Sequence, residues 1–343
     1  MNSSTIKVFY PLKDGNLVLR TDQNWDRDLE PVKISKDKSC FEFRLEHDHP
    51  YVEFKPCIRL PEQFLWSSGT NKLLISGGRD QRCYPHFYSG NRGQVGEIQE
   101  LASAMLNRPH RFRVYLPAGY RENPLKAYPV MYMHDGKNLF LAEEAFLGNE
   151  WHVDENLDLL DAMNIIDRMI VVGIYADDRF EEYTQPGYEL YGKAVVEELV
   201  PWVNDHFRTL KGPADTAVLG SSLGGVVAFF LAWEWPEIFG NAACMSSAFA
   251  FRDNLLERVL NESTASRRHL KFYLDSGWPD DNYEITLTMA HRLVARGFQM
   301  GRNLLYLAFP LNRHNESSWA VRFPLPVQFF AGKLGHHRLD GST

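Results

Sequence analysis

The sequence predicts an α/β protein with a mostly parallel sheet covered by helices on both faces, preceded by a small β-sandwich. From about residue 97 onward, near-continuous apolar runs alternate with segments of helical spacing, as expected for strands buried on both faces. Before that point, short alternating runs occur without helical periods, which indicates a sandwich. The chain has 343 residues, 44% of them hydrophobic, which is enough for two unequal domains.

The N-terminal region, residues 1–80, carries five short runs of strand character. These runs are 6–10, 17–20, 41–45, 51–55 and 72–75. Turn-forming sequences such as Asp14-Gly15 separate them. We therefore predict a β-sandwich domain over 1–80. The glycine-rich segment 81–96 is predicted to be a linker.

Residues 97–335 are predicted to form the second domain, in which strands and helices alternate. The predicted strands are 111–116, 128–133, 169–174, 216–219, 271–274 and 304–309, and the predicted helices are 151–163, 195–207, 225–235 and 283–297. Such alternation produces a parallel sheet with covering helices on both faces. Residues 336–343 are predicted to be a tail.

Composition excludes several function classes. The formal charge is −7 without any Lys/Arg run, so nucleic acid is not an expected partner. No apolar run approaches the roughly 20 residues that cross a bilayer, and the N-terminus lacks a signal-peptide pattern. The four cysteines are irregularly spaced without a CxxC motif, which is typical of a reducing compartment. We therefore predict a cytoplasmic protein without a membrane anchor.

The sharpest chemical signal is the hexapeptide 220–225, Gly-Ser-Ser-Leu-Gly-Gly. It fits the G-x-S-x-G nucleophile elbow of α/β-hydrolases, with Ser222 as the nucleophile. The predicted strand 216–219 precedes it and a helix follows, which is the context that the elbow requires. A tight turn here lifts the serine hydroxyl above the sheet, and the helix N-terminus favours developing negative charge.

A nucleophilic serine needs a base and an orienting acid, which follow it along the chain in the order Asp or Glu, then His. The histidines after Ser222 are His269, His291, His314, His336 and His337. Only His314 follows a predicted strand by a short loop, so it is the predicted base. Candidate acids, all after strand 271–274, are Asp275, Asp280 and Asp281. Asp280 is the preferred one, the other two remain open, and Glu316 could lie near the histidine.

The oxyanion hole is predicted from backbone N–H groups. Leu223, directly after the nucleophile, supplies one donor, and the loop 134–137 after an earlier strand supplies the other, with Lys137 N–H as our choice. His134 and Asp135 are expected to hold this turn together by hydrogen bonds. They are too few to form a metal site, so neither a metal nor another cofactor is predicted.

Several segments together resemble the putative-esterase family of α/β-hydrolases, which includes enterochelin esterases, feruloyl esterases, S-formylglutathione hydrolases and mycolyltransferases. They are 113–120, 132–140, 172–174, 179–184, 220–225 and 314–319. The resemblance covers about 97–335 and implies the triad Ser222, Asp280 and His314. Lys137 is a departure, since many relatives carry Gln there. The N-terminal region looks like an immunoglobulin-like or carbohydrate-binding-module-like domain. Trp25 and Trp66 are expected to be buried in it, with stacking on a ligand as the alternative.

These observations predict a serine carboxylic-ester hydrolase that acts through an acyl-enzyme. Its predicted ligand is a small-molecule, sugar or aromatic ester, and a homodimer is possible. Two alternatives stay open: an acyltransferase with the same triad, and a non-catalytic binding protein on a hydrolase scaffold.

Overall fold

The structure is a computed structural model that describes residues 2–75 and 81–333. The chain forms two compact units. The first runs from the N-terminus to Gly93 and adds Pro117–Ala127 and Asp158–Asp167, and the second holds Gln94–Leu116, Tyr128–Leu157 and the chain from Arg168 onward. The predicted tail 336–343, with His336 and His337, lies outside the described residues.

The first unit consists of two β-sheets. Its strands are β1 Asn2–Phe9, β2 Asn16–Thr21, β3 Asn24–Leu29, β4 Lys33–Ile34, β5 Cys40–His47, β6 Tyr51–Arg59, β7 Phe64–Trp66, β8 Lys72–Ile75 and β9 Gln81–Cys83. One sheet has the order β4-β5-β1-β9, and the other has β3-β2-β6-β7 with β8 also paired to β6. All pairs are antiparallel except β1 with β9.

Alternation along the strands explains why the two sheets pack face to face. In β5, Phe41, Phe43 and Leu45 are buried while the residues between them are more exposed, because successive side chains point to opposite faces. They join Leu17 and Phe54 of the other sheet in one apolar cluster. The predicted β-sandwich is therefore confirmed. Trp25 is partly buried, whereas Trp66 is 41% exposed, contrary to expectation.

The prediction that residues 81–96 form a linker is wrong for much of this segment. Strand β9 pairs with β1, and residues 87–89 are fixed to the carboxylate of Glu122. This carboxylate accepts the backbone N–H groups of Phe87 (2.6 Å), Tyr88 (3.0 Å) and Ser89 (2.7 Å). Hydrogen bonds from Ser89 and these N–H groups outweigh the opposing effect of burial and lower the pKa of Glu122. The segment is thus held by an ionised side chain more than 30 positions away along the chain.

Replacing Glu122 with alanine is expected to loosen this segment, because three backbone donors lose a charged acceptor at once. Amide exchange at Phe87 and Ser89, followed by mass spectrometry, should accelerate at least about tenfold. Glu62→Ala, at an exposed position of the same unit, is the matched control and should leave this exchange unchanged. Unchanged protection in the Glu122 variant would contradict the anchoring role.

The second unit is built on a nine-stranded sheet within the described residues. Its strands are β10 Gln94–Val95, β11 Gln99–Leu101, β12 His110–Leu116, β13 Val130–Met133, β14 Ile170–Tyr175, β15 Thr216–Ser221, β16 Asn241–Met245, β17 Lys271–Trp278 and β18 Leu304–Pro310. Their order is β10-β12-β14-β13-β15-β16-β17-β18, and β11 also pairs with β12. The strands β14, β13, β15, β16, β17 and β18 are parallel to their neighbours in this order. At the other edge, β10 and β11 pair with β12, and β12 pairs with β14, in antiparallel fashion.

Helices follow most of the parallel strands. The α-helices of the described residues are α1 Val153–Ala162, α2 Arg179–Glu182, α3 Gly187–Ala194, α4 Val200–His206, α5 Leu223–Glu234, α6 Leu255–Asn261, α7 Tyr283–Ala295, α8 Glu316–Arg322 and α9 Pro324–Ala331. Every residue of β14, β15 and β16 is buried, as expected for strands covered on both faces. None of the helices in the described ranges is long and apolar enough to span a membrane.

The strand register brings four loops to one edge of this sheet. Met133 pairs with Leu219, Ser221 with Met245, and Met245 with Asp275, so the parallel strands end at similar levels. Loops after the carboxyl ends of such strands form the usual site of α/β proteins. The segments that follow β13, β15, β17 and β18 carry all the predicted site residues.

Candidate active site

Ser222 occupies the sharp turn between β15 and α5. Its backbone has φ 55° and ψ −120°, a conformation that residues with a side chain rarely adopt. Two hydrogen bonds hold the turn: Ser222 N–H donates to Met245 O (2.9 Å), and Ala248 N–H donates to Ser222 O (3.2 Å). The side chain is half-buried, so the hydroxyl is held in place yet reachable.

The flanking glycines are required by close backbone approach. A Cβ at Gly220 would lie 2.2 Å from Gly224 O, and one at Gly225 would lie 2.0 Å from Ser247 Oγ. At Gly220 the contact is with backbone, so a side chain there would force the turn apart, and at Gly225 the Ser247 side chain would have to move. This is the local reason why the sequence folds into the predicted elbow.

His314 lies between the nucleophile and an acid. Its Nε2 is 2.9 Å from Ser222 Oγ, and its Nδ1 is 2.6 Å from Asp281 Oδ1. The imidazole follows β18, as predicted, and the indole of Trp319 contacts it edge to face at 5.0 Å between ring centroids. The structure therefore brings Ser222 and His314 together across 92 positions of sequence.

The acid that reaches His314 is Asp281, so the preference for Asp280 is wrong on geometric grounds. Strand β17 continues to Trp278, four residues beyond the predicted end, and the loop then exposes Asp280 and buries Asp281. Asp275 is also buried, but it accepts from Tyr273 OH (2.8 Å) instead of the imidazole. Asp280 and Asp281 are adjacent in a loop, where no repeating pattern in the sequence indicates which side chain is buried.

Asp281 is held as an anion. Burial raises its pKa, but hydrogen bonds from His314, Ser246 Oγ (2.6 Å) and Gly277 N–H (2.7 Å) outweigh burial and leave the pKa below its usual value. An ionised carboxylate only accepts hydrogen bonds, so Nδ1 of His314 must donate to it. The unprotonated Nε2 is then free to accept the hydroxyl proton of Ser222.

Two of the other candidate histidines fall within the described residues, and both lie in segments other than the elbow turn. His269 Nε2 lies 2.7 Å from Pro236 O, and His291 is an exposed residue of α7. Glu316 does lie near the site: its Oε1 accepts from Asn138 Nδ2 at 3.5 Å.

The loop after β13 is placed beside the elbow, since His134 N–H donates to Leu219 O of β15 (2.9 Å). Gly136–Asn138 form a single 3₁₀ turn, closed by the bond from Asn138 N–H to Asp135 O (2.9 Å). The exposed Lys137 lies inside this turn, so its N–H is not needed to close it. Leu223 is the first residue of α5 and has no intrahelical acceptor for its N–H.

His134 and Asp135 hold this loop in place. Asp135 pairs with the guanidinium of Arg179 through two bonds (2.6 and 2.9 Å), and its N–H donates to Tyr183 OH (3.3 Å). Burial and the nearby Arg179 charge lower the pKa of His134 to about 3, so this imidazole is neutral. Its Nδ1 lies 3.1 Å from Tyr191 OH. These are the turn-stabilising roles that the sequence suggested.

One exposed group in the described part of the chain has metal-compatible geometry. The ligand atoms of Glu150, His152 and Glu155 lie within 4.8 Å of one another. Acidic surface groups of this kind are common without a bound ion, and none of the three belongs to the site at Ser222. The expectation that no metal is needed stays a prediction.

Residues 103–322 match the sequence model of the family described as "Putative esterase", which spans more than half of the chain. The chain belongs to this family. The predicted resemblance and the predicted enzyme class, a carboxylic-ester hydrolase, are thereby confirmed.

This esterase is similar to several known proteins. It is 29% identical over 198 residues to the uncharacterized protein YjcH of Bacillus subtilis (strain 168), which covers 56% of this chain and 77% of YjcH. A solved ferulic acid esterase superposes with a TM-score of 0.60 at 18% identity, covering 70% of this chain and 98% of that one. The enterobactin esterase FES of Shigella flexneri has a TM-score of 0.56 at 15% identity, covering 96% and 92%. At such identities the structures establish the α/β-hydrolase fold.

Proposed function

We propose that this esterase is a serine hydrolase of carboxylic esters that acts through a Ser222–His314–Asp281 triad and an acyl-enzyme intermediate. The observation that carries the proposal is the continuous hydrogen-bonded chain from Ser222 Oγ (2.9 Å to His314) to Asp281 (2.6 Å from His314) at a half-buried elbow. Membership in the putative-esterase family supports the same reaction class.

The mechanism follows from the direction of each hydrogen bond. His314 Nε2 takes the hydroxyl proton as Ser222 Oγ attacks the ester carbonyl carbon, and ionised Asp281 stabilises the resulting imidazolium. The tetrahedral intermediate collapses when His314 returns the proton to the leaving alkoxide, which departs as the alcohol. Water then repeats the sequence on the acyl-enzyme, releasing the carboxylic acid and restoring Ser222.

The proposed oxyanion hole consists of the N–H groups of Leu223 and Lys137. Leu223 is the first residue of α5 and Lys137 lies within the turn Gly136–Asn138, and the helix dipole of α5 points its positive end toward the nucleophile. Arg179 and Asp135 support the loop that carries the second donor.

Replacing Lys137 with alanine should therefore leave kcat/KM within about threefold of wild type, because the backbone N–H remains and one oxyanion donor is worth about 10²–10³ in kcat. Hydrolysis of p-nitrophenyl acetate measures the effect. A loss of 10²-fold or more in this variant would show that the ammonium group acts, and would overturn the backbone assignment.

The proposed substrate is a small-molecule, sugar or aromatic ester. Phe180, Phe251 and Trp278 are 57%, 46% and 47% exposed. Phe180 and Phe251 lie in the segments that follow β14 and β16, and Trp278 is the last residue of β17. Exposed aromatic side chains beside a site favour apolar or ring-shaped groups. The similar structures are a ferulic acid esterase and an enterobactin esterase. Ferulic acid esters and enterobactin therefore belong in the first activity screen, together with acetylated sugars and short-chain p-nitrophenyl esters.

The direct test of the reaction type is pre-steady-state kinetics with p-nitrophenyl acetate. An acyl-enzyme that hydrolyses slowly predicts a burst of about one equivalent of p-nitrophenol per protein molecule. Adding alcohols or sugars and analysing the products tests for acyl transfer: if water is the only acceptor even when alcohols or sugars are present, a transferase is excluded. Absence of any ester cleavage across the screen would favour a binding protein. The cytoplasmic location and the possible homodimer stay predictions.

A further inference from the structure

A buried polar cluster lies directly behind the triad acid, on the side away from His314. Ser246 Oγ is 2.6 Å from Asp281 Oδ2, and it also receives Trp319 Nε1 (2.9 Å) and Arg322 Nη2 (2.8 Å). Ser246 is fully buried, and Trp319 and Arg322 are 5% and 1% exposed. None of the three belongs to the predicted triad, and they come from the loop after β16 and from α8.

The chemistry of these groups fixes the direction of every bond in the cluster. An indole N–H and a guanidinium can only donate hydrogen bonds, so Ser246 Oγ must accept from both Trp319 and Arg322. Its single proton is then left for the remaining partner, Asp281 Oδ2. Asp281 Oδ2 accepts this hydrogen bond and the carboxylate stays ionised, so Oδ1 is left to accept a hydrogen bond from His314 Nδ1.

Arg322 is also the cation that faces both buried carboxylates of this region. Its Nη2 is 3.6 Å from Asp281 Oδ2, and its Nη1 is 3.6 Å from Asp275 Oδ1. Other titratable groups that interact with these two carboxylates are Tyr273, Cys244, Tyr306 and His314. Burial, together with the negative charge of Asp281, raises the pKa of Asp275 to about 6 against the opposing Arg322 charge and the Tyr273 hydrogen bond. Two neighbouring carboxylates raise each other's pKa, and a nearby cation counteracts this effect.

We propose that Ser246 and Arg322 are positioning residues that keep the triad acid ionised. They also fix the direction of the hydrogen bonds, since Arg322 donates to Ser246, Ser246 donates to Asp281, and Asp281 accepts from His314. This inference rests on the proposed function, because it assigns a role to groups that act through the triad. The geometry supports it at each link: a donor-only cation, a hydroxyl with one proton, and an acceptor-only carboxylate.

The test is the pH dependence of kcat/KM for p-nitrophenyl acetate in Arg322→Met. Removing the cation favours protonation of the hydrogen-bonded His314–Asp281 pair, which stops His314 from acting as the base, so activity should be lost at higher pH than in wild type. We expect the acid limb to move up by about one pH unit, and kcat/KM at neutral pH to fall about tenfold or more. Adding Asp275→Asn removes the competing carboxylate, so the double variant should move the limb back toward wild type.

A merely structural role would lower activity without moving the acid limb or responding to Asp275→Asn. Arg302→Met, the same change at an exposed arginine, is the matched control and should reproduce the wild-type profile. If circular dichroism shows that Arg322→Met does not fold, Ser246→Ala is the second variant. It removes the hydrogen bonds through Ser246 but keeps the charges of Arg322 and Asp281, and it must also move the acid limb of the pH profile to higher pH. If the acid limb of the pH profile stays at the wild-type position in the folded variant, the inference is overturned.

These outcomes separate the inference from the proposed function on which it rests. If Ser222→Ala hydrolyses the ester as fast as wild type, the triad itself is wrong. If Ser222→Ala is inactive while the acid limb of the folded Arg322 or Ser246 variant stays in place, only the positioning role fails.

Discussion

Ser222→Ala is expected to lower kcat for p-nitrophenyl acetate or butyrate by about 10⁶-fold while the protein stays folded. The reason is that the hydroxyl 2.9 Å from His314 Nε2 is the group proposed to form the covalent intermediate. Alanine at this position leaves the elbow's backbone hydrogen bonds to Met245 and Ala248 available. The loss should therefore reflect chemistry and leave the circular dichroism spectrum unchanged.

The neighbouring serine provides the control. Ser221 is the last residue of β15 and is 3% exposed, so its hydroxyl does not reach solvent as that of Ser222 does. Ser221→Ala should keep activity within about tenfold of wild type, because it removes no group of the triad. If the two variants were equally active, or if Ser221→Ala alone were inactive, the assignment of the nucleophile would be wrong.

Asp281→Asn is expected to lower kcat by about 10⁴-fold, as loss of the triad acid does in other serine hydrolases. Oδ2 of Asp281 receives two donors, from Ser246 and Gly277, whereas Oδ1 receives one from His314. An amide would direct its oxygen toward the two donors and its NH₂ toward the imidazole. His314 Nδ1 would then accept, Nε2 would carry the proton, and the base could no longer take the proton of Ser222.

The adjacent aspartate makes a closely matched comparison. Asp280→Asn is the same chemical change one position away, on an exposed side chain, and should leave kcat near that of wild type. Steady-state kinetics of the two variants at neutral pH distinguish the residues. A large loss in Asp280→Asn together with an active Asp281→Asn would restore the sequence-based preference and contradict the geometry described above.

The residues that sequence reasoning found are those marked by local structure. Ser222 follows a buried strand and precedes a helix within a glycine-flanked hexapeptide, and His314 follows the last strand by a short loop. Both patterns are local, so they can be read without knowing the rest of the fold. The parallel sheet was predictable for the same reason, since its central strands are continuous apolar runs.

What the sequence left undetermined depends on partners far along the chain. Asp281 and Asp280 differ only in which one turns toward Gly277 and Ser246, and Ser246 meets Arg322 across 76 positions. The glycines of segment 81–96 predicted a linker. The local sequence does not reveal that this segment is held in place, because Glu122 lies 33 to 35 positions away along the chain. Hydrogen bonds of this range follow from tertiary packing and leave no periodic signal.

The central claim is that Ser222 is activated by His314, and covalent labelling tests it most directly. The wild-type protein, treated with a fluorophosphonate and digested, should carry a single adduct on the peptide with Ser222 when mapped by mass spectrometry. His314→Ala, which lacks the base, should label far more slowly. An adduct on a different serine, or equal labelling rates with and without His314, would contradict the account.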